Sequence, residues 1–333
     1  MRPPRAELHL HLEGTLEPEL AFELAERNRV ALPFADVDAL RAAYEFTDLQ
    51  SFLDLYYANM SVLRTAEDFA DLTRAYLRRA AAAGVRHAEI MVDPQAHLLR
   101  GIPLQELLDG VGPVLAASER DFGVSTLLIA AFLRDRPAAE AYSVLESLLA
   151  AGAPLAAVGL DSTEVGFSAA PFAPVFAKAA AAGLRRTAHA GEEGPASNVT
   201  EVLDALGAER VDHGIRAMED PAVVDRLARD RVPLTVCPLS NVRLNAVPSL
   251  AAHPLPAMMA AGLHVSVHSD DPAYFGGYAD DVDDALAAEL GLGRAERAAL
   301  AAASFTGSFL PADRVEAYLR DVADWAASEP AEA

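Results

Sequence analysis

The chain of 333 residues is 52% hydrophobic and only 7% aromatic, enough apolar material for one large core. Its formal net charge of −22 leaves no surplus of Lys and Arg to neutralise phosphates, which argues against a nucleic-acid partner and for a neutral small molecule. The single cysteine, Cys237, excludes a disulfide framework and any Cys-x-x-Cys metal site, so a bound metal must rest on imidazole and carboxylate, as suits a reducing cytoplasm.

Met1-Arg2-Pro3-Pro4-Arg5 runs straight into a predicted strand over residues 6–12, so no apolar leader is expected, and no stretch approaches a membrane span. In Glu7-Leu8-His9-Leu10-His11-Leu12-Glu13-Gly14 a strand's alternation turns His9 and His11 to one face and the leucines to the other, toward a core. Two imidazoles on one face of a strand can grip a single metal ion. Residues 18–83 read as helical, and the run Phe52-Leu53-Asp54-Leu55-Tyr56-Tyr57 suits either helices covering a site or plain core packing. Alanine-rich helices then stop at Ala83-Gly84, Ala151-Gly152, Ala182-Gly183 and Ala261-Gly262, each followed at once by an apolar strand.

On that rhythm the further strands fall at 85–92, 124–132, 156–162, 185–190, 210–214, 233–238 and 263–269. Eight strands alternating with helices predict an α/β fold, a (β/α)8 TIM barrel with extra helices after strand 1. No linker divides residues 1–333, so one domain is expected, with a frayed tail from about residue 320. The sequence leaves the oligomeric state open, a homo-oligomer included.

Active sites in this fold gather at the C-terminal ends of the strands, and the polar clusters fall there. Strand five ends in His189-Ala190-Gly191-Glu192, strand six in Asp212-His213-Gly214, strand eight in His268-Ser269-Asp270-Asp271. Any one of these alone would read as a core histidine or a capping aspartate; their joint placement favours a site. His9, His11, His189 and Asp270 make a nitrogen-and-oxygen ligand set for one catalytic zinc or similar divalent ion, which lowers the pKa of bound water toward neutrality. Glu192 would serve as general acid, and His213 would orient the nucleophile and stabilise charge. Asp271 would accept a proton or hold a ring nitrogen; support of the ligands is the competing role for Glu192 and Asp271. His268 is open as extra ligand, pocket wall or tuner of Asp270. His87, His97, His253 and His264 read as surface or supporting residues.

The runs His9-Leu10-His11-Leu12-Glu13-Gly14-Thr15, His189-Ala190-Gly191-Glu192-Glu193-Gly194, Asp212-His213-Gly214, Cys237-Pro238-Leu239-Ser240-Asn241 and Ser269-Asp270-Asp271-Pro272 resemble, in order, the adenosine/adenine deaminase family. The resemblance implies a metal-dependent barrel that replaces the 6-amino group of an aminopurine by oxygen. It matches His9, His11, His189 and Asp270 to the zinc ligands, Glu192 to the proton donor at ring N1, His213 to a residue needed for catalysis, and Asp271 to a substrate contact. Glu13 stands where nucleoside deaminases carry a ribose-contacting Asp. With the run Gly159-Leu160-Asp161-Ser162-Thr163-Glu164-Val165-Gly166, it is similar to the adenine deaminase subgroup, implying Glu13, Glu164 and Gly166 as further substrate contacts and adenine as substrate. His268 stands where that subgroup has Asn, and Phe167-Ser168-Ala169 where it has His-Pro-Pro. Adenosine, an N6-substituted adenine and aminodeoxyfutalosine remain alternatives, as do a barrel hydrolase of an amide or ester and an inactive scaffold; no basic cluster favours AMP.

Overall fold

In the computed structural model, which describes residues 2–328, eight parallel strands pair in chain order. They are β1 (Arg5–His11), β2 (Val85–Val92), β3 (Ser125–Leu133), β4 (Leu155–Asp161), β5 (Arg185–Ala190), β6 (Arg210–His213), β7 (Pro233–Val236) and β8 (His264–Val267). A bridge between Leu10 and Asp270 closes the ring: the His11 N–H donates to the Asp270 carbonyl and the Asp270 N–H to the His9 carbonyl, both at 3.1 Å. The expected (β/α)8 barrel is the architecture found.

The alternation expected in β1 holds, with Leu8, Leu10 and Leu12 fully buried on the side away from the imidazoles. Burying each contributes about 2 kcal/mol. The four Ala-Gly stops precede β2, β4, β5 and β8, and Gly84, at φ +86°, takes the left-handed turn an alanine would resist. Inside the barrel, Met91, Ile129, Ala131 and Ala157 pack with Phe309. Below them Arg210 lies over the Phe309 ring and pairs with Glu89 at 2.6 Å, both fully buried.

The extra helices after β1 are α1 (Pro18–Asn28), α2 (Val37–Ala42), α3 (Leu49–Asn59) and α4 (Ala66–Ala82). Asp48 starts α3 by accepting the Ser51 N–H at 2.8 Å, and Thr65 caps α4. The aromatic run does both things the sequence allowed. Phe52 packs on Phe275 with ring centroids 4.6 Å apart, and α3 thereby lies across the barrel mouth.

Several strand ends shift by a residue and strand eight, expected over 263–269, spans only His264–Val267; two other boundaries differ for a reason the packing shows. The strand expected over 233–238 ends at Val236, because Pro238 opens the helix Pro238–Arg243 with Cys237 as its cap. The tail expected to fray from about 320 continues as the helix Ala312–Ala327; Val322 and Trp325 are buried on one face, and the Arg294 guanidinium lies 4.2 Å from the Trp325 ring centre. Residues 329–333 of that expected tail lie outside the described residues. No helix among the described residues is long and apolar enough to cross a membrane.

Candidate active site

β1, β5 and the end of β8 bring His9, His11, His189 and Asp270 together, all four buried. His9 Nε2 lies 3.0 Å from His189 Nε2, His11 Nε2 3.3 Å from His189 Nε2, and Asp270 Oδ1 3.3 Å and 3.6 Å from the Nε2 atoms of His9 and His11. The partners on the far side of each ring fix the tautomers. His9 Nδ1–H donates to the Thr235 carbonyl and His189 Nδ1–H to the Leu160 carbonyl, each at 3.1 Å. A carbonyl only accepts, so both Nε2 atoms face one another with lone pairs, which repel at 3.0 Å unless a cation lies among them. Donors about 2.0–2.2 Å from a small tetrahedral divalent ion stand about 3.3–3.6 Å apart, so this set fits one. Asp270 is held there by its two backbone bonds to β1 despite φ of +65°, a conformation aspartate rarely adopts.

Beside the cluster stand Glu192, His213 and Asp271. His213 Nε2 is 3.4 Å from Glu192 Oε2 and 3.8 Å from Asp270 Oδ2. A polar chain behind it sets its proton. The Leu255 N–H donates to His253 Nδ1 (3.0 Å), His253 Nε2–H to Asn241 Oδ1 (3.2 Å), and the Asn241 amide N–H to His213 Nδ1 (3.3 Å). His213 therefore carries its hydrogen on Nε2, aimed into the site. Burial, then Asp270, Glu193 and Glu164, pushes the Glu192 carboxyl well above the usual range. Burial and adjacent Asp270 do the same to Asp271. In Asp270 burial acts the same way, but His9, His213 and His11 outweigh it and hold that carboxyl well below the range. Adjacent carboxyls pushed in opposite directions suit one site to both donating and accepting. Asp271 is placed by Gly14: a Cβ there would lie 2.6 Å from Asp271 Cγ and 2.7 Å from its Cα.

These groups line one cavity at the barrel mouth. Its roof is apolar, from Leu49, Phe52, Leu53 and Tyr56 of α3 with Leu244 and Phe275. Its far wall is acidic, from Asp93 and Asp161, whose carboxyls are pushed up by burial first, Asp161 to about 7. Sequence reasoning had not put these two acids in the site, although Asp161 stands in a run it had noted; each alone is an ordinary strand-end aspartate.

Three expected contacts are not in the lining. Glu13 Oε1 accepts His97 Nε2–H at 2.6 Å and the Asp93 N–H at 3.2 Å, which turns the side chain into the wall. Glu164 Oε2 accepts the Gly194 N–H at 2.5 Å and so braces the turn after Glu192. Gly166 sits exposed at φ +86° with open space around it. His268 takes the Leu8 N–H on Nδ1 at 3.0 Å and gives Nε2–H to Ser266 Oγ at 2.7 Å, so it ties β1 to β8 and has no lone pair left for a metal. Of the four histidines set aside, His87, His97 and His253 are buried rather than on the surface, and His97 and His253 each bond to a residue that supports the site. His264 bonds Thr306 Oγ1 at 2.8 Å, remote from the site.

Residues 4–325 match the adenosine deaminase family. The chain is 61% identical to the adenine deaminase of Streptomyces coelicolor over 313 residues, covering 93% of this chain and 91% of that one. It is 53% identical to the adenine deaminase of Cupriavidus necator over 329 residues, 99% and 94% of the two chains. Among solved structures, an adenine deaminase from Arthrobacter aurescens superposes with a TM-score of 0.97 at 62% identity, covering 98% of this chain and all of that one. An amidohydrolase from Burkholderia ambifaria with bound Zn gives 0.89 at 28% identity, over 98% and 93%. The chain belongs to the adenosine deaminase family.

Proposed function

We propose that this chain is an adenine deaminase, hydrolysing adenine to hypoxanthine and ammonia, with one zinc ion per chain held by His9, His11, His189 and Asp270. The observation that carries the reading is the buried Glu192 carboxyl 3.4 Å from His213 Nε2, beside the cluster of His9, His11, His189 and Asp270 and under an apolar roof. Relatives named adenine deaminase at 61% and 53% identity over nearly the whole chain support adenine as the aminopurine. The acidic wall disfavours a phosphorylated substrate and accommodates a neutral base that brings N–H donors. The chain is read as one catalytic domain, and its buried Cys237 thiol suits the cytoplasm, where purine salvage takes place.

A zinc ion in this donor set supplies one thing: a water whose pKa is lowered toward neutrality. The chain's own groups do the rest. As the water oxygen bonds to C6, Glu192 gives its proton to ring N1, so the charge pushed out of the C6=N1 bond ends on a neutral nitrogen. His213 Nε2–H donates to the attacking oxygen and so keeps a lone pair aimed at C6. Asp271, carrying its proton, donates to the ring nitrogen on the other flank of C6. The C6–N bond then breaks; of the attacking water's two protons one leaves with the amino group as ammonia and the other restores Glu192. The α3 roof keeps other water out.

Ammonia release and ultraviolet absorbance from the purified enzyme, with adenine, adenosine, N6-methyladenine and aminodeoxyfutalosine compared at equal concentration, test the assignment. Adenine is expected to give the highest kcat/KM; a higher value for any of the other three would replace it.

A further inference from the structure

Two carboxyl groups in the cavity have no part in that chemistry. Asp93 follows β2 and Asp161 ends β4, only 2% and 3% exposed, and one oxygen from each lies within 4.8 Å of the other and of a His11 ring nitrogen. Both line the cavity, where their carboxyls hydrogen-bond each other and Asp161 Oδ2 lies 3.6 Å from His11 Nδ1, but no other described residue donates to Asp93 Oδ1 or to either oxygen of Asp161. One shared proton leaves buried acceptor oxygens over, and a buried acceptor calls for a donor, so this wall points to a ligand that brings one. The wall is also held in place from behind. Glu13 Oε1 fixes the Asp93 backbone, and His97 fixes Glu13, with Arg100 donating in turn to His97 Nδ1 at 2.5 Å.

The orientation of the base follows from the groups opposite. C6 of adenine is flanked by N1 and, across C5, by N7. With C6 at the ligand cluster and N1 at Glu192, Asp271 faces the N7 flank. The edge that remains for the β2–β4 side carries N3 and N9. In the free base N9 bears a hydrogen; in a nucleoside it bears carbon.

We propose that Asp93 and Asp161 are the specificity-determining pair of this site, accepting the N9–H of a free purine base and rejecting a purine substituted at N9. The proposal rests on the adenine reading above and names the groups that select the base. A site built to take an N–H rejects the analogue lacking it by up to about 10⁴–10⁵-fold, because its buried acceptors are then left unpaired. Selection for the base is thereby assigned to the β2–β4 wall; Glu13, whose Oε1 takes His97 and the Asp93 N–H and whose Oε2 has no partner among the described residues, lies outside the cavity lining and braces that wall.

The test compares adenine with 9-methyladenine in the zinc-loaded wild type, Asp93→Ala and Asp161→Asn, with metal per chain and Tm recorded for each. Competitive inhibition by purine against 9-methylpurine, which have no amino group to lose, gives the same ratio without turnover. The wild type is expected to favour the unsubstituted base by about 10³-fold or more, and the variants to contract that ratio roughly tenfold or more by losing the unsubstituted base, at one metal per chain. Asp161→Asn, which keeps the side chain's size, decides the matter should Asp93→Ala not fold. An unchanged ratio in active variants overturns the pair alone. Two metals per chain falling to one in the variants assigns the wall, with His11, to a second cation and also overturns it. A wild type that deaminates neither base overturns the adenine reading and the pair together.

Discussion

Replacing Gly14 by alanine tests whether the turn after β1 sets the position of Asp271. Gly14 lies in the short helical turn Glu13–Thr15 and does not have a positive φ, so its backbone suits alanine and the only obstacle is space. The new Cβ would stand 2.6 Å from Asp271 Cγ and 2.7 Å from Asp271 Cα, against about 3.5–4.0 Å for comfortable carbon contacts. A rotation of the Asp271 side chain relieves the first contact but not the second. The backbone there is pinned, because the Asp271 carbonyl accepts the N–H groups of Tyr274 and Phe275 at 2.9 and 3.0 Å. The two segments must therefore part by about 1 Å, which costs about 1–3 kcal/mol in stability. A displacement of that size at a substrate-positioning group costs about 10²-fold in turnover. We expect Gly14→Ala to fold, to lose a few degrees of Tm, to keep its metal, and to release ammonia from adenine about 10²-fold more slowly. Gly112→Ala is the control: with nothing within 4 Å of its Cβ inside the helix Leu104–Phe122, it should match or slightly exceed wild type in stability. A Gly14→Ala enzyme with kcat/KM within threefold of wild type would refute both the collision and the placement of Asp271 at the base.

Glu192→Gln keeps the shape of the acid and removes its proton; kcat should fall by about 10²–10⁴-fold with metal content unchanged, and near-normal turnover would take Glu192 out of the reaction. Asp270→Ala is expected to purify with little metal by elemental analysis, and full occupancy there would refute its place among the ligands. Acid stability should depend on Glu89. Burial alone would raise its carboxyl, but Arg210, then His87 and the Phe309 N–H, outweigh burial and hold it at about 2, below its ordinary value of 4.5. The sign follows: the stabilisation is complete above about pH 4.5 and is lost as pH falls toward 2, amounting to roughly 3 kcal/mol. Glu89→Gln, weaker at neutral pH because it strands Arg210, should lose less further stability across that window in urea unfolding; equal losses in both proteins would show that Glu89 does not titrate there.

The barrel was legible because its signals are local and repeated: two histidines two residues apart among leucines, and four helices stopped by Ala-Gly just before apolar strands. The ligand cluster was legible for a related reason, since a strand end in a known fold has one face to offer. What the linear chain hid was lateral. Asp93 and Asp161 stand 68 positions apart, on strands separated by β3, and nothing in either local run says that they meet across the mouth. Glu13 shows the converse. Its position along the chain pointed to the substrate, while in the fold its Oε1 takes His97, 84 residues on, and the residue lies outside the cavity lining. The end of the helix Ala312–Ala327 was read as fraying from about 320 although Val315, Tyr318, Leu319 and Val322 recur at helical spacing and pack with Phe305; the polar run from Ser328 drew the reading away from that stripe.

The plug of Phe309, Arg210 and Glu89 beneath the barrel has a consequence for traffic. With a ring and an ion pair filling that end, passage through the bottom of the barrel is closed to adenine, water, hypoxanthine and ammonia, and traffic falls to the side where α3 lies over the strand ends.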